Sequence, residues 1–334
     1  MRILYLSCHS ILEFDELKLF TDLGIDWFSL GSYVVPTKPV DSIRPPIRYY
    51  PDEWLTHNTP PRDNIPKEFL DKFDTIVVMH VPGWIVQNWD KFKDKRVVWR
   101  TIGQSTPTIE RRMLDYRQKG LQIVRYSPRE ANLEPTAGCD ALIRFYKDPS
   151  EFGHWVGAGN EVITFAQDMK HRGEFCNYEA FLSITQGFTA RIYGPKNENA
   201  EGLNGGFLTY EQMQQKMRDA RVYIYTGTQP ASYTLNLIEA MMTGVPIVAI
   251  GPLLANSLNM RNGINADLYE IPDIITNGVN GFWSDNINEL RERVAYLLSD
   301  VKAARRIGEM GRQRAIELFD KDNVQLKWKE FLGI

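Results

Sequence analysis

The residues with the clearest chemical content run from 226 to 246: Thr-Gly-Thr-Gln-Pro-Ala-Ser-Tyr-Thr-Leu-Asn-Leu-Ile-Glu-Ala-Met-Met-Thr-Gly-Val-Pro. A strand-like run, Val222–Tyr225, leads into them, and a small polar loop follows. A helix is predicted from about Thr234 and is stopped by Gly244, after which Ile247–Ile250 reads as another strand. A loop of this kind offers free backbone N–H groups at the start of a helix, where the partial positive charge favours an anion such as phosphate. Glu239 sits inside this helix, and its neighbour four residues on is Thr243, which gives a surface ion pair little support. Elsewhere, Lys170-His171-Arg172 forms a small basic turn, and His80 and His9 each follow a strand-like run.

The chain must provide elements that bring such residues together. At 334 residues it is long for a single core, and two domains are expected. Apolar content of 43%, charged content of 24% and a net charge of −3 describe an ordinary soluble globular composition with no global attraction for nucleic acid. The cysteines Cys8, Cys139 and Cys176 are odd in number and far apart, with neither metal-ligand spacing nor a disulfide framework, so a reducing, cytoplasmic setting is expected. No apolar run approaches the length that crosses a bilayer, so stable membrane insertion is not expected. Met1–Ser7 reads as a first buried strand, not as a secretory leader.

In order, the sequence predicts strands at 2–7, 27–30, 75–79, 96–101, 121–126 and 141–145, with helices at 13–23 and 108–118. The β-α-β opening indicates a parallel, doubly wound sheet. Residues 31–66 are rich in proline and read as a long loop, either a flap over an acceptor site or a surface insertion. Residues 147–160 hold three glycines and a proline and read as the domain boundary, giving domains at 1–150 and 151–318. The second half repeats the alternation: strands at 162–166, 190–193, 221–225 and 246–250, and helices at 175–186, 210–219 and 234–243. A loop is read over 251–271, and helices follow at about 286–298, 301–318 and 321–331.

With these residues laid out, the carboxyl-terminal half resembles the retaining GT-B glycosyltransferases, most closely their large fourth family. Leu237-Ile-Glu239-Ala-Met241 and Gly244-Val-Pro246 match the second Glu of that family's paired-Glu motif and the residues after it. Ile271-Pro-Asp-Ile-Ile-Thr-Asn-Gly278-Val-Asn-Gly-Phe282 resembles the following run, and Gly206–Glu211, Ala220–Tyr225, Phe145-Tyr-Lys-Asp148 and Trp328 fit neighbouring segments. The resemblance covers roughly residues 140–332. It departs at the first Glu, which falls at Ala231, and at the Gly-Phe-Gly loop, here Ser232-Tyr233-Thr234. Of the family's two cations before Gly173, one falls at Gln167 and the other at Arg172, with Lys170 close enough to substitute.

The resemblance implies an α/β GT-B fold, two Rossmann-like doubly wound domains facing across a cleft, with a last helix (319–334) crossing back to the first domain. It implies a glycosyltransferase that moves a sugar from a nucleotide-diphosphate sugar to an acceptor hydroxyl with retention and without a metal. The co-substrate would be a UDP- or GDP-sugar and no separate cofactor is expected. Glu239 would accept from the ribose hydroxyls. Arg172 and Lys170 would neutralise the departing diphosphate, helped by the N–H groups near Ser232, Tyr233, Thr234 and Leu235, with Gln167 and Gly194 also on the donor side. Loops at the carboxyl ends of the first-half strands would hold the acceptor, with His80 near the reacting sugar and His9, Ser10, Arg100 and Thr101 in the same group. The acceptor itself is not identified, and nucleic acid enters only as an acceptor. Two rival readings are a sugar-nucleotide epimerase of the same fold and a non-catalytic nucleotide-sugar or glycan-binding protein, the latter motivated by Ala231 and Gln167.

Overall fold

A computed structural model describes residues 1–31 and 52–334. The chain divides into two compact units, Met1–Phe145 with Asp322–Ile334, and Tyr146–Lys321. Each is built on a six-stranded sheet in which all pairs are parallel.

The first sheet contains β1 (Arg2–Leu6), β2 (Asp26–Ser29), β3 (Thr75–Met79), β4 (Arg96–Arg100), β5 (Gln122–Arg125) and β6 (Ala141–Leu142) in the order β2-β1-β3-β4-β5-β6. The second contains β7 (Val162–Phe165), β8 (Ala190–Tyr193), β9 (Asn204–Gly206), β10 (Val222–Tyr225), β11 (Ile247–Ile250) and β12 (Phe282–Ser284) in the order β12-β11-β10-β7-β8-β9. Helices flank both sheets, so strands such as β3, β10 and β11 are buried along their whole length and read as continuous apolar runs. This is the GT-B architecture of two Rossmann-like domains.

Several elements differ from the sequence expectation. Residues after His80 form a helix, Pro82–Phe92, with proline at its first position, where no N–H is needed, and Ile85 and Phe92 in the core. The 251–271 stretch carries two short helices, Pro252–Ala255 and Ser257–Arg261. The edge strands β9 and β12 are each three residues long, too short to leave a period in the sequence. Of the proline-rich 31–66 stretch, residues 32–51 lie outside the described residues.

The last helix, Lys321–Leu332, completes the first unit. Trp328 has no exposed surface and its ring meets Phe20 edge-on at 5.1 Å. The Arg96 guanidinium donates to the carbonyls of Phe331 and Leu332 at the helix end, where cations are favoured. Among the described residues no helix is long and apolar enough to cross a membrane.

Candidate functional site

The strand order of the second sheet fixes where a ligand belongs. From β7 the chain proceeds outward through β8 and β9; it then returns to the other side of β7 for β10 and proceeds through β11 and β12. Connections therefore leave β7 and β10 in opposite directions, and a crevice opens at their carboxyl ends. Asn236 spans it: its carboxamide, in the first turn of the helix Leu235–Thr243, donates to the carbonyl of Phe165 at the end of β7.

That helix begins without a side-chain cap. Thr234 holds the N-cap position, but its hydroxyl is turned to Asn236 Oδ1 and lies 3.3 Å from the Tyr225 hydroxyl. No side chain caps this first turn, whose Leu237 N–H turns back to Thr234 O at 3.2 Å, and the helix start lies beyond the carboxyl end of β10 with the helix dipole behind it. Gly244 ends the helix at φ 91°, as its sequence position predicts.

The expected cations follow β7. Lys170 is exposed and its Nζ donates to Asn199 O at 2.9 Å. Arg172 is half-buried and its guanidinium reaches Gln167 O at 3.4 Å, leaving most of its donors for a ligand. Gln167 is exposed beside them. Gly194, after β8, has φ 135°, and a Cβ there would stand 2.4 Å from Ala166 O. Glycine is required for close approach of two backbones, which keeps the β8 loop against the start of the cation loop.

Glu239 is 3% exposed, and its Oε1 lies 2.8 Å from Nζ of Lys147, which is equally buried. A carboxylate this far from water needs such a partner. The sequence pointed to Glu239 and to the absence of a cation one helical turn away, but the cation comes from Lys147, far off in the chain. Ser232 and Tyr233 are also buried, and the Tyr233 ring packs on Phe319 at 5.2 Å. Their side chains belong to the interior, so what they present to a ligand is backbone.

In the first unit the expected residues separate. Arg100 has no exposed surface: Nε lies 2.6 Å from Glu16 Oε1, Nη1 donates to Ile143 O at 2.6 Å, and the guanidinium lies over the rings of Phe145 and Trp328. Thr101 is 1% exposed and donates to Glu130 Oε2 at 2.6 Å. Both were expected among the acceptor-holding residues; both are spent inside the core. His9 is the N-cap of the helix Ser10–Asp22, its Nδ1 accepting from Leu12 N at 3.4 Å, and Ser10 opens that helix. His80 ends β3 in the left-handed region at φ 62°, half-buried, and burial holds its imidazole below the ordinary pKa of 6.5. Its imidazole is therefore held toward the neutral form near pH 7.

Beyond Lys147, sequence reading missed the contacts of Asn236, Gln229, Tyr225 and Tyr269. Simple helical spacing turns Asn236 from Glu239, yet its side chain bridges the β7–β10 crevice to Phe165 O. Gln229 gave no signal beyond its place before a proline; it is buried and bonded on both ends of its carboxamide. Tyr225 and Tyr269 stack at 6.4 Å beneath this loop, an arrangement hidden by their sequence separation.

No family model matches the sequence, and no curated protein matches it. Solved structures do. A sucrose-phosphate synthase from Thermosynechococcus elongatus superimposes with a TM-score of 0.69 at 15% identity, over 100% of this chain and 98% of that one. HepE from Anabaena, in complex with UDP and glucose, gives 0.67 at 15% identity over 100% and 99%. A glycosyltransferase from Rickettsia africae gives 0.63 at 13% identity over 99% and 98%. At such identities the likeness establishes the fold.

Proposed function

We propose that the chain is a glycosyltransferase that moves a sugar from a nucleotide-diphosphate sugar to an acceptor hydroxyl. The observation that carries this reading is the uncapped helix Leu235–Thr243 opening at the β7–β10 crevice, beside the loop that bears Lys170 and Arg172. Such a site suits a diphosphate, with helix N–H groups on one side and guanidinium on the other. UDP is the favoured nucleotide, since the neighbouring HepE fold was captured with UDP and with UDP-glucose.

In the reaction, the acceptor oxygen bonds to the anomeric carbon while the bond from that carbon to the β-phosphate oxygen breaks. The acceptor proton leaves with the nucleoside diphosphate, and attack on the face the diphosphate vacates retains configuration. Arg172, with the helix N–H groups, stabilises the charge growing on the leaving group, the role a divalent cation plays elsewhere. Glu239, anchored by Lys147, stands behind the helix start as the carboxylate for the ribose hydroxyls. We assign the acceptor to the amino-terminal unit, with His80, His9 and Ser10 as the residues to test, in a cytoplasmic setting.

Ala231 and Gln167 favour a second reading, a binder without turnover. A thermal-shift screen of UDP-, GDP- and ADP-sugars, followed by NMR detection of donor cleavage, separates the two. Stabilisation with cleavage supports the transferase; stabilisation with an intact donor supports the binder; no stabilisation by any nucleotide sugar removes both.

A further inference from the structure

Gln229 is 5% exposed, yet both ends of its carboxamide are satisfied. Oε1 accepts from the backbone N–H groups of Leu258 at 2.9 Å and Asn259 at 3.2 Å, in the helix Ser257–Arg261 that follows β11. Nε2 donates to Glu174 O at 3.0 Å and to Asn177 Oδ1 at 3.2 Å, in the segment that follows β7. Its own backbone N–H donates to Phe175 O at 2.8 Å. Asn177, left-handed at φ 52°, returns a bond from Nδ2 to Thr226 O at 2.8 Å, and Thr226 Oγ1 donates to Cys176 O at 2.7 Å. One side chain thus ties the segments after β7, β10 and β11 into a single polar joint.

The environment selects a carboxamide. It offers two donors to Oε1 and two acceptors to Nε2, and only an amide of this length carries both functions in one plane. A carboxylate would set an oxygen against Glu174 O and Asn177 Oδ1. A thioether would take this partner from the N–H groups of Leu258 and Asn259 and from Asn177 Oδ1, while Glu174 O would keep its bond from Asn177 N–H. Glu174 lies two residues beyond Arg172, and Gln229 lies five before Thr234. The joint therefore sits between the cation and the helix start that the proposed reaction uses together.

We propose that Gln229 is a positioning residue for the sugar-donor loop: it holds Thr228–Thr234, and with it the opening of the helix Leu235–Thr243, at a fixed distance from Arg172. This rests on the reading of that edge as a nucleotide-sugar site. The leaving diphosphate must meet both partners at once, and misplacement by an ångström can cost on the order of 10²-fold in rate. Binding of the nucleotide, which each partner supports separately, is less sensitive.

The test compares wild type with Gln229→Met and Gln229→Glu. UDP affinity is measured by calorimetry, turnover of the UDP-sugar selected by the donor screen by NMR, and amide exchange at Leu258 and Asn259 by NMR. For Gln229→Met, kcat is expected to fall by about 10²-fold while UDP affinity moves by less than about threefold, with exchange accelerated at both amides. For Gln229→Glu, turnover rises as pH falls, because a protonated carboxyl regains one donor; Gln229→Met shows no such rise. Turnover like wild type in both variants, or equal loss of UDP affinity and kcat, overturns the proposal. Failure of the wild type to bind UDP, GDP or ADP removes the donor reading beneath it, a result visible before any variant is made.

Discussion

Lys147 Nζ and Glu239 Oε1 lie 2.8 Å apart, and both side chains are almost wholly out of water. Removing one member of such a buried pair is strongly destabilising, whereas replacing both by apolar groups is often neutral. Glu239→Ala is therefore expected to cost about 3–5 kcal/mol of stability, and Lys147→Met combined with Glu239→Leu to recover most of it. Urea denaturation of the single and double variants checks this. The double variant then isolates the carboxylate's role in nucleotide binding: loss of UDP affinity in a stable protein supports the ribose assignment, and retained affinity removes it.

Arg172→Ala is expected to lower kcat by roughly 10²–10³-fold, with a smaller change in donor affinity, because the charge it faces grows as the diphosphate departs. Lys170→Ala should do less, since its exposed Nζ is already engaged with Asn199 O. Steady-state kinetics with a UDP-sugar, alongside calorimetry, separates the two effects. Equal losses in kcat and affinity for Arg172→Ala would mark plain ground-state anchoring.

Gly194→Ala meets two obstacles, a φ of 135° and a carbonyl oxygen 2.4 Å from the new Cβ. Gly187→Ala meets only one, a φ of 85° with nothing within 4 Å. The Gly187 variant is expected to lose about 1–2 kcal/mol from backbone strain, and the Gly194 variant clearly more. Thermal melts of both variants measure the difference, and equal melting temperatures would mean that the Ala166 carbonyl moves aside.

His80 titrates lower in the folded protein than its ordinary 6.5, because burial penalises the imidazolium. Below about pH 6.5 the unfolded chain binds a proton that the folded chain refuses, so this residue's contribution to stability is full above that pH and is lost as pH falls toward the folded value. His80→Asn keeps a side chain that tolerates the left-handed backbone. It should lose less stability than wild type between pH 7.5 and 5.5. Parallel pH dependence in urea melts would refute the assignment.

The β/α alternation and both ends of the helix Leu235–Thr243 were legible because buried parallel strands leave unbroken apolar runs and Gly244 marks a stop. What stayed hidden depends on pairing across the sequence. Arg100, Glu16, Glu110, Arg125 and Glu130 are charged types that read as surface, yet all are buried because each finds a partner. Arg100 was mistaken for a ligand-binding cation for that reason. Lys147 and Gln229 carried no local signal: one lies in a junction segment, the other beside a proline, and their partners are remote in the chain.

The first unit is assembled from two separate stretches, Met1–Phe145 and Asp322–Ile334, whereas the second is the one uninterrupted stretch between them. On the ribosome, domains usually mature from the amino terminus onward. Here that order is reversed. Phe20 and the face of Arg100 wait for Trp328, which is made after the whole of the second unit. Residues Met1–Phe145 thus emerge before the second unit yet close their core after it, and a nascent chain stalled before Trp328 would carry a finished second unit and an unfinished first.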